Sequence, residues 1–466
     1  MKKESMNKFL QSAMTEENPF ISTSEVKNWL VKKNNEVNVD VQQIEFSKLD
    51  NWEFTPDQSK LVHHTGRFFS IEGINVKTNW REVKEWDQPI INQPEIGYLG
   101  IITKEINGIL YFLLQAKIEP GNINNVQLSP TLQATKSNYT QAHGGKVPMY
   151  LEYFKDNKNP TVLLDQLQSE QGARFLRKRN RNIIIQVDED IPIADEFVWL
   201  TLGQIKKLIL QDNLVNMDTR TVISGIPFKI ISDIGLYTHM EESIKTSMLI
   251  SSINKGISMY SFEDLVAWLT DLKCRYDLNV TSIPLNKVRN WTITNSEIIN
   301  NDQRFFKVIA AKVTISNREV SSWCQPLVKP AQDGIIAFVV KKIHGILHCL
   351  VQAKLECGNF DILELAPTVQ CLTGDYRHPD YDIPFLDFVL NATPDMIRYD
   401  AMQSEEGGRF YHEQNRNMII EVGDEFPVQL PENYTWMTLN QMNTFITFNN
   451  YLNIQSRSLL SAISFI

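Results

Sequence analysis

The sequence has little cysteine, and none of it lies in the first half of the chain. The five cysteines of this 466-residue chain are Cys274, Cys324, Cys349, Cys357 and Cys371. They contain no CxxC pair, so they form neither a zinc ribbon nor the disulfide framework that stabilises small secreted domains. From this pattern we predict no disulfide framework and no metal site.

Long apolar runs and an excess of positive charge are also missing. No stretch approaches the about 18 consecutive apolar residues of a membrane span, so we expect no membrane segment. The formal net charge is −9, and an acidic protein lacks the broad basic field that binds a nucleic-acid polymer. The N-terminal residues contain no apolar core of a signal peptide, which favours a cytoplasmic location.

The glycine motifs of the common cofactor sites are absent. The sequence has no GxGxxG, no GxxxxGKS or GxxxxGKT, and no GxSxG. These absences argue against a dinucleotide cofactor, against ATP and against the serine nucleophile of an α/β-hydrolase. We therefore predict no cofactor.

A long internal repeat is the main feature that the chain does contain. The segment QAKIE at 115–119 returns as QAKLE at 352–356, and the positions 115 and 352 differ by 237 residues. Eight of the nine tryptophans pair at almost the same offset, namely Trp29 with Trp268, Trp52 with Trp291, Trp86 with Trp323 and Trp199 with Trp436. Such a repeat has the size of a whole domain. We predict a tandem duplication, with domains at residues 1–238 and 239–466.

Each copy has the same order of predicted elements. A helix start is indicated by Ser22 with Glu25 and by Ser261 with Asp264, which resemble capping boxes. Apolar runs of strand length follow at 109–114, 161–168, 182–187 and 346–351, and helical patterns close the copies at 201–209 and 438–446. Helix, several strands and helix, without regular alternation, indicate an α+β fold with mixed or antiparallel sheets.

The first candidate site is at the end of an apolar strand. Gln115, Lys117 and Glu119 alternate and therefore share one face of an extended segment. A lysine close to a glutamate could hold a substrate carbonyl or act as an acid/base pair. The alternative is a salt bridge at the rim of the sheet.

The second candidate site follows another strand. Glu170 is a candidate base, Gly172 permits a turn, and Arg174 is a candidate anion ligand. The dense basic stretch at 177–181 comes next and fits a small anion such as a nucleotide diphosphate. Alternatively, Glu170 and Arg174 pair on a helix surface and the basic stretch is a solvated face.

The third candidate site is a loop rich in hydroxyl and amide groups, which suit a sugar. It runs from residue 129 to 139 and contains Thr131, Gln133, Ser137, Asn138 and Tyr139. Tyr139, with a counterpart in Tyr376, is a candidate general acid or a buried hydroxyl with a backbone partner.

These segments resemble the NDP-hexose 2,3-dehydratase family. The resemblance rests on the strings QAKIEPGN from residue 115, QLSPTLQAT from 127, YLEYF from 150, QSEQG from 168, NMDTRTV from 216, LAPTVQ from 365 and QSEEGGRF from 403. It covers nearly the whole chain. It implies two duplicated Nudix-like domains in a cytoplasmic homodimer. The implied substrate is a nucleotide-linked 4-keto-6-deoxy sugar of deoxysugar biosynthesis, and we predict that the nucleotide is dTDP. The glutamate-rich metal helix of Nudix hydrolases is not visible in the sequence.

The implied reaction is loss of water across C2 and C3 of the sugar. A base removes the C3 proton that the C4 ketone acidifies, and an acid assists departure of the C2 hydroxyl. We expect Lys117 to polarise the ketone, Glu170 or Glu119 to be the base, and Tyr139 to be the acid. One or more of Arg174, Arg177 and Arg181 would bind the diphosphate.

The full set of predicted site residues has one group in each copy. In the first copy these are Gln115, Lys117, Glu119, Thr131, Gln133, Ser137, Asn138, Tyr139, Glu170, Gly172, Arg174, Arg177, Arg181 and Asn182; in the second copy they are Gln352, Lys354, Glu356, Tyr376, Glu405, Arg409 and Arg416. We favour the first copy as the active one because it keeps the basic stretch, although the second has His378 and His412. The competing hypotheses are a metal-dependent nucleotide-sugar diphosphohydrolase and a sugar-nucleotide binding protein without turnover.

Overall fold

The structure is a computed structural model that describes residues 3–80, 83–135, 137, 147–155, 160–228, 243–316, 321–372 and 383–464. The first half contains α1 (Lys3–Ala13), α2 (Thr23–Asn35), β1 (Val39–Ile44), β2 (Trp52–Phe54), β3 (Lys60–His63), β4 (Ser70–Thr78), β5 (Glu85–Asn92), β6 (Gly97–Ile106), β7 (Ile109–Ile118), β8 (Val126–Ser129), β9 (Leu132–Ala134), α3 (Leu151–Lys155), β10 (Thr161–Ser169), β11 (Arg179–Gln186), β12 (Phe197–Thr201), α4 (Leu202–Ile209) and α5 (Met217–Ser224).

The second half repeats this order. It contains α6 (Ile244–Ile253), α7 (Phe262–Arg275), β13 (Leu278–Ile283), β14 (Trp291–Ile293), β15 (Glu297–Asn300), β16 (Phe306–Ile315), β17 (Ser322–Pro330), β18 (Gly334–Ile343), β19 (Ile346–Lys354), β20 (Glu364–Pro367), β21 (Val369–Cys371), α8 (Leu386–Leu390), β22 (Ile397–Ser404), β23 (Gln414–Val422), β24 (Tyr434–Thr438), α9 (Leu439–Phe445) and α10 (Ile454–Ser461). Short 3-10 turns at Phe46–Lys48 and Leu285–Lys287 follow β1 and β13. Among the described helices, none has both the length and the apolar character to cross a membrane.

The predicted α+β class and the similarity of the two halves are confirmed. Each half has a seven-stranded mixed sheet. In the first half the order is β10-β11-β6-β7-β12, with β8 also paired to β7 and β9 to β6. In the second half the order is β22-β23-β18-β19-β20, with β21 also paired to β18 and β24 to β19. In each of these sheets one central pair is parallel, β11 with β6 and β23 with β18. The capping boxes predicted at Ser22 and Ser261 are both present, since each serine accepts from the backbone of the third helical residue.

The halves exchange one strand each. β1 of the first half pairs antiparallel with β16 of the second, from Val39 opposite Ile315 to Ile44 opposite Ala310. β13 of the second half pairs in the same way with β4 of the first. Each of the two five-stranded sheets is therefore built from both halves. The predicted domain boundary at 238/239 lies outside the described residues and stays a prediction, but residues of the first 238 complete a sheet of the second half.

Two reciprocal turns join the halves through backbone hydrogen bonds. The Gly121 N–H donates to the Gly407 carbonyl at 2.8 Å, and the Gly358 N–H donates to the Gly172 carbonyl at 2.7 Å. A Cβ added to Gly121 would lie 1.6 Å from the Phe410 carbonyl oxygen. Only glycine therefore allows the turn after each conserved QAK segment to reach the opposite half.

We expect Gly121→Ala to lower the free energy of unfolding by at least about 1–3 kcal/mol, because a backbone carbonyl must move to make room for the methyl group. Denaturant unfolding measures the change. Gly256→Ala is the control, because a Cβ at Gly256 meets nothing within 4 Å. Equal unfolding midpoints for the two variants would contradict the close packing of the halves.

Two buried arginines extend the connection into the core. Arg220 on α5 donates to the Gln403 side chain at 2.6 Å and to the Ser404 carbonyl at 2.7 Å. Arg457 on α10, its counterpart, donates to the Ser169 carbonyl and to Thr221. Each guanidinium thus holds the end of a strand in the opposite half, immediately before Glu405 or Glu170.

Candidate active site

A cavity of about 1150 Å³ lies in the first half, at the end of β7. This volume is sufficient for a nucleotide-linked sugar. The first half contributes β7, β9, the turn after β10 and the start of α5 to its wall, among other segments. The second half contributes residues of β17 and residues 406, 408 and 409. The cavity is therefore a composite of both copies.

Gln115, Lys117 and Glu119 lie together in the wall of this cavity. The Lys117 ammonium nitrogen is 3.6 Å from Oε1 of Glu119, and the Gln133 amide donates to the same oxygen at 2.8 Å. Only 6% of the Glu119 side chain is exposed, so the pair is not a salt bridge on the open rim. It places a cation and a carboxylate on one side of the cavity.

Glu170 lies in the same cavity, in the turn that follows β10. Its carboxylate accepts from the Asn180 amide at 2.9 Å and from the Gln171 backbone N–H at 3.2 Å. Burial raises the pKa of Glu170, while Arg457 and Lys178 act in the opposite direction. The helix pairing of Glu170 with Arg174 does not occur, because these residues form a turn whose arginine points into the other half.

The structure places Arg409 in the first-half cavity, where the sequence analysis expected Arg174. The guanidinium carbon of Arg409 lies 4.3 Å from the ring centre of Phe69, and Arg409 lines the first-half cavity. Arg174 lies 4.2 Å from the ring centre of Phe306 in the second half. This difference arises from the two reciprocal turns, because each arginine comes two residues after a glycine that binds the opposite half.

The basic stretch does not form one anion site. Its side chains separate, because strand residues alternate in direction and the turn before them is tight. Arg177 is exposed and has a left-handed backbone with φ of 48°. Arg179 stacks on Phe360, and Arg181 forms a bidentate pair with Asp165 at 2.6 and 2.8 Å. Among the basic side chains of this stretch, only Lys178 lines the cavity, where Asn180 lies as well.

Lys178 is a cation of the cavity that sequence reasoning did not select. It is buried, and its ammonium group donates to the Glu95 carbonyl. Burial lowers the pKa of Lys178 to about 8, although Glu170 opposes the shift. Lys117, Arg409 and Lys33 also line the cavity, and Lys33 is paired with Glu36 and Asp195. Such cations suit an anionic substrate.

Among the cavity carboxylates that sequence reasoning did not select are Asp218, at the start of α5, and Glu406 from the second half. Burial raises the pKa of Asp218 well above its usual value, and Glu119 and Glu170 add to the shift. Burial raises the pKa of Glu406 in the same way, against the effect of Arg409. The available signal was the difference between the copies, because Asp218 corresponds to Gln455 and Glu406 to Gln171.

Of the remaining predicted first-half residues, Gln133 and Ser137 line the cavity, and Ser137 donates to Glu95 at 2.5 Å. Thr131 instead donates to the Leu113 carbonyl inside the sheet, and Asn182 donates to Thr221 in the core. Gly172 belongs to the turn that binds the second half. Asn138, Tyr139 and Tyr376 lie outside the described residues.

The predicted residues of the second half have mainly internal partners. Gln352 donates to the Pro367 carbonyl at 2.9 Å, Glu356 accepts from Gln370 at 2.8 Å, and Glu405 accepts from Asn415 at 2.6 Å. Arg416 pairs with Asp400 at 2.6 Å, as Arg181 pairs with Asp165. Lys354 lies close enough to Glu356 to lower the pKa of that carboxyl, whereas burial raises it.

Within the described part of the chain, no group of three or more His, Cys, Asp or Glu side chains is arranged to hold a metal ion. His344 and His348 have the spacing of a zinc-binding pair on a helix. They instead flank the turn between β18 and β19, and His348 is buried with its Nε2 accepting from the Met259 N–H at 3.0 Å.

The cavity joins two copies of one fold, and comparison with known proteins identifies the class of enzyme. The family model described as NDP-hexose 2,3-dehydratase matches residues 23–226 and again 262–463. This chain belongs to that family.

Curated relatives match along almost the full length. A protein named dTDP-4-dehydro-6-deoxy-alpha-D-glucopyranose 2,3-dehydratase from Saccharopolyspora spinosa is 46% identical over 98% of this chain and 94% of its own. Proteins of the same name from Amycolatopsis orientalis and Streptomyces violaceoruber are each 41% identical, over 97% and 89% of this chain and 92% and 91% of their own.

Proposed function

We propose that this chain removes water across C2 and C3 of dTDP-4-dehydro-6-deoxyglucose and releases a 3,4-diketo-2,6-dideoxyhexose, as a step of deoxysugar biosynthesis. The observation that carries the proposal is the composite first-half cavity. Its lining residues include Lys117, Lys178 and Arg409 together with the carboxyl groups of Glu119, Glu170, Asp218 and Glu406. Elimination beside a ketone needs such a set, because one group takes a proton, another gives one, and cations stabilise the enolate.

Each part of the wall has a distinct role in this proposal. Lys117 hydrogen-bonds the C4 carbonyl oxygen and stabilises the negative charge that develops there. Glu170 or Glu119 removes the C3 proton. Arg409 and Lys178 bind the diphosphate, a role that the sequence assigned to Arg174, Arg177 and Arg181. Gln115, Gln133 and Ser137 supply hydrogen bonds to sugar hydroxyls.

The catalytic copy is the first in this proposal. Three charged cavity residues are replaced at the equivalent positions of the repeat, since Lys178, Asp218 and Glu406 correspond to Glu413 and Gln455 of the second copy and to Gln171 of the first. Burial raises the pKa of Glu413 to about 7, so the position of a cavity cation is held by an acid. A diphosphate binds less well beside an additional carboxyl group.

The family resemblance also motivates finer proposals. These are a Nudix-like fold for each half, a homodimer, a cytoplasmic location and a domain boundary at 238/239. Light scattering of the purified protein tests the dimer, since a mass of one chain would contradict it.

The reaction itself is tested by incubating the protein with dTDP-4-dehydro-6-deoxyglucose, with and without EDTA. We expect the sugar nucleotide to lose one water, as measured by mass spectrometry, at the same rate in both samples. Release of dTMP and a sugar phosphate, abolished by EDTA and restored by magnesium, would support the diphosphohydrolase instead. Binding without any change in mass would support the non-catalytic sugar-nucleotide protein.

The charge on Lys178 predicts a pH dependence. Because the pKa of Lys178 is lowered to about 8, the ammonium form that binds the diphosphate is lost as the pH rises through that value. We expect kcat/KM to fall above about pH 8 in the wild type. Lys178→Arg keeps its charge at these pH values and is expected to lack this decline. An unchanged decline in Lys178→Arg would assign it to another group.

A further inference from the structure

Asp218 and Glu406 differ from Glu119 and Glu170, which line the same cavity, in their lack of partners among the described residues. Glu119 accepts from Gln133, and Glu170 accepts from Asn180. Within the described residues, the side chains of Asp218 and Glu406 make no hydrogen bond and no ion pair within salt-bridge distance. Asp218 is nevertheless only 3% exposed, and it lines the cavity. A buried carboxyl group without a protein partner is available to a bound molecule.

Asp218 and Glu406 reach the same cavity from different halves of the chain. Asp218 follows the N-cap Asn216 of α5, which holds the helix start in place. Glu406 enters the cavity from the second half, in the turn that Gly121 binds through the Gly407 carbonyl. Arg220 anchors this turn by its bond to the Ser404 carbonyl at 2.7 Å. Both carboxyl groups therefore have fixed positions.

The duplicated chain provides an internal comparison. Gln455 of the second copy occupies the position equivalent to Asp218, and Gln171 of the first copy occupies the position equivalent to Glu406. Gln171 donates to Glu405 at 3.1 Å, which is an ordinary structural role. An amide has nearly the shape of a carboxyl group, but it cannot release a proton near neutral pH. The first-half cavity thus has carboxyl groups that can transfer protons at two positions where the equivalent positions of the repeat have amides.

Electrostatics keeps protons at these positions. Burial raises the pKa of Asp218, and Glu119 and Glu170 raise it further. Burial likewise raises the pKa of Glu406, with Arg409 opposing and Glu119 and Asp218 adding to the shift. Four carboxyl groups in one buried wall cannot all be ionised at moderate cost, so the two without hydrogen bonds retain protons most readily.

We propose that Asp218 and Glu406 form the proton-donating pair that protonates the departing C2 hydroxyl of the sugar. This inference rests on the proposed dehydration. It gives the acid role to described residues of the cavity, whereas the sequence assigned that role to Tyr139.

The step balances in atoms and electrons. The base takes the C3 proton, and the C3–H electron pair forms a C3–C4 double bond as the C4 carbonyl becomes an enolate. When the C4 carbonyl re-forms, a C2–C3 double bond forms and the C2–O bond breaks. One carboxyl of the pair gives its proton to the leaving oxygen, which departs as water. The resulting enol then loses its O3 proton, which that carboxylate can accept, and the base returns a proton to C2, which gives the ketone.

The test separates proton removal at C3 from loss of the C2 hydroxyl. Asp218→Asn and Glu406→Gln are incubated with the substrate in D2O, and deuterium at C3 and loss of water are followed by NMR and mass spectrometry. We expect each variant to lose dehydration by about 100-fold or more and to keep deuterium exchange at C3 above the rate without enzyme. Gln455→Asn, the change at the equivalent position of the second half, is the control and is expected to match the wild type.

The other outcomes overturn the proposal. Dehydration within about threefold of wild type in both variants would remove the pair from the reaction. Loss of C3 exchange together with dehydration, in variants that still bind dTDP and unfold at the wild-type temperature, would make these residues part of the base. If Asp218→Asn does not fold, Glu406→Gln decides, since its turn is partly exposed. A wild type that never loses water would overturn the proposed function instead.

Discussion

Arg409→Ala is expected to reduce kcat/KM for dehydration roughly 10- to 150-fold, whereas Arg174→Ala leaves it within about threefold. The reason is the exchange of the two arginines between the halves. Arg409 lines the first-half cavity from the second half, and Arg174 contacts Phe306 away from it. Loss of a charged contact to a diphosphate costs about 1.5–3 kcal/mol, which corresponds to that range.

The two arginines are closely matched as a test and a control. Each guanidinium stacks on a phenylalanine, at 4.3 Å for Arg409 and 4.2 Å for Arg174. Each has a buried Nε without a hydrogen-bond partner in the described part of the chain. The two alanine variants should therefore lose similar amounts of stability, and a difference in turnover reports on the cavity. A larger loss for Arg174→Ala would place the active site in the second half.

Glu170→Gln is expected to lower kcat by about 10²- to 10⁴-fold with little change in the affinity for dTDP. Glutamine keeps the shape of the side chain, so the Asn180 amide retains a possible acceptor, but the group can no longer take the C3 proton. The variant should also lose deuterium exchange at C3, in contrast to Asp218→Asn. Steady-state kinetics and NMR in D2O give both results.

Glu405→Gln is the matched control for Glu170→Gln. Glu405 accepts from Asn415 at 2.6 Å, as Glu170 accepts from Asn180 at 2.9 Å. Burial, with Glu413, raises the pKa of Glu405 to about 8, so a neutral amide at this position is expected to change little. Near wild-type turnover in Glu170→Gln would leave Glu119 as the base, since it is the other candidate in the same wall.

The inter-copy origin of the cavity is the reason why we expect the two sets of variants to differ. Glu170 and Arg409 meet in one cavity, although one belongs to the first copy and the other to the second. The crossed turns at Gly121 and Gly358 produce this arrangement. Whether a substitution affects the first-half cavity therefore depends on where its side chain lies relative to these turns, and not only on the copy to which the residue belongs.

The sequence by itself determined the duplication, the α+β class and the family. These depend on local patterns or on long strings of residues. The capping box of Ser22 and Glu25 involves residues three positions apart, and the β7 strand follows from one apolar run. The strand also placed Gln115, Lys117 and the following Glu119 at one end of the sheet, where the structure has them in the cavity wall.

Only the tertiary structure decided which residues of the two copies meet. β1 pairs with β16, and Arg409 reaches a cavity whose other residues are far away in sequence. Neither contact has a local signature, because strand exchange leaves the periodicity of each copy unchanged. The basic stretch at 177–181 separated for a related reason, since alternating strand residues and a tight turn send neighbouring cations to different surfaces. Asp218 and Glu406 became visible as a pair only when the fold brought α5 of one copy against the turn of the other.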